Sequence, residues 1–246
     1  YQSGDVDYLV ATDAIGMGIN MDIDSIYFSN LKKFDGKKVR QLKLSEISQI
    51  AGRAGRYLSE GNFGVTGECK ELSSEQIELL ENHKLEPIQY IFWRNSHLNF
   101  SSFNNLINSL EQIPTKKILR RIHECEDEKI LKFFIKKSSK YKIINEEWCL
   151  KILWECCQIP DFVKQAYGNH LDVVSKVFAF LTSGKKRVLN TYMREQLNNL
   201  DKIEGNVDAL TNRIANVRTW AYVSNKKNWV ENQDYWIERT KLLENK

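Results

Sequence analysis

The chain is poor in the residues that interrupt regular structure. Its 246 residues hold three prolines, and glycine is sparse beyond residue 67. That scarcity favours long helices over loops in the later part. No apolar run is long enough to span a bilayer, so no transmembrane helix is expected and no membrane partner. The opening Tyr1-Gln2-Ser3-Gly4-Asp5 has no basic-then-apolar order, and it reads as a cut end rather than a signal peptide. The five cysteines (Cys69, Cys125, Cys149, Cys156 and Cys157) form no Cys-x-x-Cys pair, and no histidine stands at metal spacing from them. A zinc ribbon or a disulfide framework is excluded; small buried thiols in a reducing compartment are expected. His83, His97, His123 and His170 show no catalytic spacing. No phosphate loop of the form Gly-x-x-x-x-Gly-Lys-[Ser/Thr] occurs. Ser183-Gly184-Lys185-Lys186 lacks both the upstream glycine and the following hydroxyl residue.

What is present divides the chain in two. Hydrophobic residues make up 42% and charged residues 28%, enough for a packed core, and the net charge of +4 permits a nucleic-acid partner without requiring one. Residues 1–85 read as α/β. Asp7-Tyr8-Leu9-Val10-Ala11-Thr12 and Ser25-Ile26-Tyr27-Phe28-Ser29 are short apolar runs suited to parallel strands. Asp35-Gly36, flanked by basic and apolar residues, predicts a hairpin. Ser45 is placed as the N-cap of a helix running through Ile47 and Ile50 into Arg53. A Gly-rich strand follows over residues 61–68, then a capping box at Ser73-Ser74-Glu75-Gln76. Residues 86–246 read as an all-α domain. Apolar positions recur at helical spacing through Phe103, Leu106, Ile107 and Leu110, through Ile130, Leu131 and Phe134, and through Val207, Leu210, Ile214, Val217 and Ala221.

Two segments carry chemistry. Gln49-Ile50-Ala51-Gly52-Arg53-Ala54-Gly55-Arg56 sets two arginines three apart, each after a glycine. On a helix they would share a face, and the glycines would let another surface approach closely. Guanidinium groups make forked bonds to phosphate oxygens and stay charged at any working pH. Upstream, Ala11-Thr12-Asp13-Ala14-Ile15-Gly16-Met17-Gly18-Ile19-Asn20 begins where the first predicted strand ends. Ligands of parallel α/β sheets gather at such strand ends. A threonine hydroxyl and glycine N–H groups there can hold a nucleic-acid phosphate.

As a pair, the two segments resemble motifs V and VI of superfamily-two DExH-type helicases. More narrowly, the chain resembles the mitochondrial degradosome RNA helicase family and its alphaproteobacterial relatives. Ile159-Pro160-Asp161-Phe162 and the stretch from Arg218 to Trp229 extend the likeness into the helical region. The resemblance implies a partial second RecA-like domain followed by a helical C-terminal domain. It implies that Thr12 contacts the RNA backbone and that Asp13, Gly18 and Gly52 lie at the nucleotide cleft. Gln49, Arg53 and Arg56 would face the triphosphate, with ATP and Mg²⁺ as cofactors. The Mg²⁺ ligands would belong to a first RecA-like domain that the sequence does not contain. One departure is Ile50, where many relatives carry a further arginine. The implied partners are RNA, with DNA as the alternative substrate, and an exoribonuclease. The implied compartment is a bacterial cytoplasm or, alternatively, the mitochondrial matrix. A rival reading is a non-catalytic RNA-binding or partner-docking protein of helicase descent.

Basic residues also cluster outside these motifs. Lys185, Lys186 and Arg187 form one run; Arg213, Arg218, Lys226 and Lys227 stand near Trp220, Tyr222 and Trp229. Cations interleaved with aromatics are how single strands are gripped without sequence preference. Lys185, Lys186, Arg187 and Trp229 are accordingly taken as RNA contacts, and Trp220 as core. Lys32, Lys33, Lys37, Lys38 and Arg40 give the predicted hairpin a positive surface that could face RNA. Reversing the hairpin charges is expected to weaken RNA binding and flatten its salt dependence in a filter-binding titration; unchanged affinity would discard that role.

Overall fold

A computed structural model describes residues 3–17, 21–35, 38–55, 59–164, 167–184 and 186–246, without the side chain of residue 167. The chain is mixed α/β and mostly helical. It divides into two compact units, Tyr1–Gln89 and Tyr90–Lys246.

In the first unit, β1 (Ser25–Phe28) and β4 (Asn62–Val65) pair in parallel, with Ser25 opposite Asn62 and Phe28 opposite Val65. Parallel neighbours need a crossover between them. Here it consists of the hairpin β2 (Lys32–Phe34) and β3 (Val39–Gln41), then helix α1 (Leu44–Ala51). The hairpin pairs Lys32 with Gln41 and Phe34 with Val39, as the Asp-Gly signal implied. After β4 comes α2 (Ser74–Glu81). Its capping box is formed: Gln76 N–H donates to Ser73 Oγ at 3.2 Å, and Ser73 N–H donates to Gln76 Oε1 at 3.0 Å. The core of this unit is small: Phe28, Ile47, Ile50, Ala51 and Leu80.

Three expectations for this unit are corrected. Residues 7–12 form no strand, and Tyr8 and Val10 are 89% and 99% exposed. A strand buried on both faces needs neighbours to hydrogen-bond it, and among the described residues β1 and β4 pair with each other alone. Ser45 is not the N-cap. The helix begins at Leu44, and the first-turn carboxylate of Glu46 accepts from Lys43 N–H at 2.8 Å, satisfying an orphan donor. Helix α1 also stops at Ala51, so Arg53 stands in the turn beyond it. Gly52 closes the helix through its N–H to Ser48 O at 2.8 Å.

The second unit is built on α3 (Phe103–Leu110), α4 (Glu126–Lys136), α5 (Ser138–Tyr141), α6 (Glu147–Cys157), α7 (Tyr167–Thr182), α8 (Asn190–Asn199), α9 (Val207–Asn225) and α10 (Gln233–Asn245). They close on a core that includes Leu106, Leu131, Phe134, Leu150, Leu153, Val177, Met193, Val217 and Leu243, all buried. Cys149, Cys156 and Cys157 are buried free thiols on α6, and burial pushes all three up from the ordinary thiol value.

The all-α expectation fails at one place. β5 (Ile91–Trp93) and β6 (Leu119–Arg121) pair in parallel. Arg121 Nη2 donates at 2.8 Å to Glu128, a buried carboxylate in α4, and Arg94 forks onto Asp127 at 2.8 and 3.1 Å. These charge-assisted bonds pin a sheet too short to stand alone. Helix α8 was not foreseen either; its run Asn-Thr-Tyr-Met-Arg-Glu-Gln-Leu buries chiefly Met193 and Leu197.

Trp229 was assigned to RNA and is corrected here. It is 5% exposed and belongs to the core, as Trp220 does. Its carbonyl accepts from Val188 N–H at 2.7 Å, tying the α7–α8 connection to the α9–α10 connection. All six tryptophans lie in the second unit, so tryptophan fluorescence follows that unit alone. Trp229→Ala is expected to destabilise it by about 3–5 kcal/mol. Urea unfolding read by fluorescence checks this, and an unchanged midpoint would restore the surface role.

Candidate nucleotide and nucleic-acid site

The segment after residue 12 turns once as a 3-10 helix, Asp13–Gly16. Thr12 caps it: Ala14 N–H donates to Thr12 Oγ1 at 3.4 Å, and Ile15 N–H donates to Thr12 O at 3.1 Å. A hydroxyl that accepts still has its own proton to donate. Thr12 and Asp13 are exposed, whereas Gly16 is buried against α1. A Cβ on Gly16 would lie 3.1 Å from Ile50 Cγ1, so this turn sits closely on the helix because residue 16 has no side chain.

Arg53 holds the same turn from the far end of α1. Its Nε and Nη2 both donate to Gly16 O, at 3.1 and 2.7 Å. Gly55, at φ +67, then reverses the chain, and its N–H donates to Ile23 O at 2.8 Å. A Cβ at Gly55 would lie 2.5 Å from Gly61 N, and one at Gly61 would overlap the Ala54 carbonyl. The close approach expected of the motif's glycines is therefore an internal crossing of backbone segments.

Asp13 faces the other end of α1. Its carboxylate accepts from Lys33 Nζ at 2.7 Å, and Lys33 also lies 3.2 Å from Glu46. Arg40 completes the network, donating through Nη1 and Nη2 to Glu46 at 2.8 and 2.9 Å and through Nε to Asp35 at 3.1 Å. Lys33 and Arg40 of the hairpin are thus engaged by carboxylates, which removes two cations from the uniformly positive surface expected there. Lys32 and Lys38 are exposed; Lys37 lies outside the described residues. Arg40 holds the Glu46 carboxyl far below the usual carboxylate range, and Asp13 and Glu46 raise Lys33. The network was legible in part, since an acid three residues into a helix is a capping signal; its reach to Asp13 was not.

A groove of about 590 Å³ runs beside this network, lined by Thr12, Asp13, Tyr27, Lys32, Lys33 and Phe34 among others. The structure therefore brings Thr12 and Asp13 together with the hairpin lysines. It sets Arg53 on the same 3-10 turn, through Gly16. Gln49 and Gly52 are exposed on the last turn of α1 and just past it. Gly18, Arg56 and Lys185 lie outside the described residues. In the second unit, Lys186 and Arg187 are exposed. Arg213 is buried and donates to Leu200 O and Leu243 O, both at 2.8 Å, so it satisfies carbonyls at the ends of α8 and α10 and is no surface cation. Among the described residues, no group of three or more His, Cys, Asp or Glu could hold a metal ion.

The chain is similar to a mitochondrial DExH-box ATP-dependent RNA helicase, DExH16, of Arabidopsis thaliana. The two are 37% identical over 177 residues, covering 72% of this chain and 28% of the relative. It is also 48% identical over 86 residues to the mitochondrial ATP-dependent RNA helicase SUV3 of rice, covering 35% of this chain and 14% of that protein. Its homologues are SUV3-type DExH RNA helicases. The SUV3 protein of Candida albicans adds 50% identity over 60 residues, 24% of this chain and 8% of that one. The chain thus spans less than a third of the length of each of these SUV3-type relatives. The 177-residue match is longer than either unit, so it takes in parts of both. No protein-family model matches the chain.

The charge network generates an acid-sensitivity prediction. Glu46 titrates lower in the folded state than its ordinary value of 4.5. Its contribution to stability is then complete above that value and is lost as pH falls toward the folded value. Hydrogen exchange of the α1 amides, compared between the wild type and Glu46→Gln, should show a wild-type advantage that is constant above about pH 5 and shrinks below it. A difference that does not vary with pH would remove the network from the account.

Proposed function

We propose that residues 1–85 are the C-terminal part of the second RecA-like domain of an ATP-dependent RNA helicase, and that residues 86–246 are its helical C-terminal domain. The carrying observation is the docking of Arg53 on the Gly16 carbonyl. It joins the two motif segments, in a chain whose homologues bear RNA helicase names. In this reading Arg53, with Arg56 and Gln49, faces the triphosphate across the interdomain cleft, and Asp13, Gly18 and Gly52 border it. An arginine so placed stabilises charge developing during phosphoryl transfer. Thr12 and the groove it shares with Lys32 and Lys33 take the RNA backbone, and Lys186 and Arg187 add contacts from the helical domain.

ATP supplies the driving force when bound. Mg²⁺ has no ligand set among the described residues; in this reading its ligands and the phosphate loop belong to a first RecA-like domain. The work proposed for the whole enzyme is RNA unwinding in RNA turnover, beside an exoribonuclease. The relatives' names favour the mitochondrial matrix over a bacterial cytoplasm.

The test is ATP turnover. The purified 246-residue chain is expected to show none. Joined to the sequence that precedes it in its reading frame, it should hydrolyse ATP with RNA stimulation. Arg53→Ala should then lower kcat by about 10³-fold. Robust turnover by the chain alone, or full activity of that variant, overturns the assignment.

A further inference from the structure

Two basic turns far apart in sequence meet at one end of the helical unit. Val188 and Val230 form a parallel bridge, and Val188 N–H donates to Trp229 O at 2.7 Å. That bridge joins the two turns: Lys186 and Arg187 lead into Val188, and the turn from Lys226 to Trp229 leads into Val230. That turn is closed by Trp229 N–H donating to Lys226 O at 3.2 Å. Lys186, Arg187 and Lys227 are exposed, and Lys226 is half-buried with its ammonium 5.0 Å from the Tyr222 ring centroid. The neighbouring Glu231 accepts from Asn190 Nδ2 at 2.9 Å and keeps its charge, so one carboxylate stands beside these cations.

We propose that Lys186, Arg187, Lys226 and Lys227 form a single phosphate-gripping patch for the backbone of single-stranded RNA. The proposal rests on the helicase reading for its choice of polyanion. It is distinct from the motor motifs and dispenses with Trp229 as a stacking platform. Four cations on two turns joined at one bridge can contact a flexible phosphate chain without base recognition. The bland alternative is that these cations complement the carbonyl ends of α7 and α9. That role would affect stability and leave the salt dependence of RNA binding unchanged.

The experiment is fluorescence anisotropy of a short labelled single-stranded RNA with the 246-residue chain, between about 50 and about 200 mM salt. Neutralising either pair, Lys186→Gln with Arg187→Gln or Lys226→Gln with Lys227→Gln, should weaken binding about tenfold. Each should lower the slope of log affinity against log salt by about 1.4, and both pairs together by about twice that. Lys129→Gln with Lys136→Gln on α4 should leave affinity and slope at wild-type values. Unfolding midpoints are recorded for every variant, and Lys227→Gln alone, at an exposed position, serves if the double variant is destabilised. Wild-type slopes in the Lys226 and Lys227 variants overturn the patch. So does dependence on the four residues for phosphatidylserine vesicles but not for RNA. Either failure leaves the helicase assignment standing, because that assignment is decided by ATP turnover.

Discussion

The carbonyl of Gly16 receives two N–H groups from Arg53, and the α-carbon beside it has no side chain to hold α1 away. These two facts fix how the Asp13–Gly16 turn sits on α1. The 3-10 turn that begins at Asp13 is pressed along α1. Its carboxylate end meets Lys33 and Glu46 at the start of the helix, while its Gly16 end meets Arg53 just past the helix terminus. The guanidinium–carbonyl contact registers the turn against the helix, and the ion pairs of Lys33 and Arg40 add the hairpin. A side chain at position 16 would press on Ile50, one of five buried core residues among those described in this unit.

The same contact gives the helicase reading its mechanical content. Groups bordering a nucleotide cleft and groups lining a nucleic-acid groove must move together if hydrolysis is to be felt by RNA. In the proposed reading they share a backbone turn. Thr12 and Asp13 open on the groove with Lys32 and Lys33, while the other end of the turn is held by the arginine proposed to face the triphosphate. The ion-pair network around Glu46 is partly exposed, so its contribution to stability is modest, and it also orients the hairpin.

Local signals were readable wherever a short stretch decides its own structure. The Asp-Gly hairpin, the Ser73 capping box and the long helix α9 all follow from turn chemistry, reciprocal caps and apolar spacing. The failures share a cause. Residues 7–12 have a strand's composition but no hydrogen-bonding neighbour. β5 and β6 are three residues each and exist because Arg94 and Arg121 find Asp127 and Glu128 in α4. Helix α8 buries too few side chains to show a period. Arg213 and Trp229 carry a cation and a flat ring that look suited to RNA until the fold buries them.

The sequence by itself determined the family resemblance, the two motif segments and the absence of a phosphate loop, because each depends on residue identity or on patterns within a few turns. Tertiary structure alone decided what each charge is paired with. It spent Lys33, Arg40 and Arg213 on internal carboxylates and carbonyls, and it brought Lys186 and Arg187 beside Lys226 and Lys227. The physical reason is that the strength of an ion pair or a phosphate contact depends on distance in space, and residues some forty apart acquire that distance only when the chain folds.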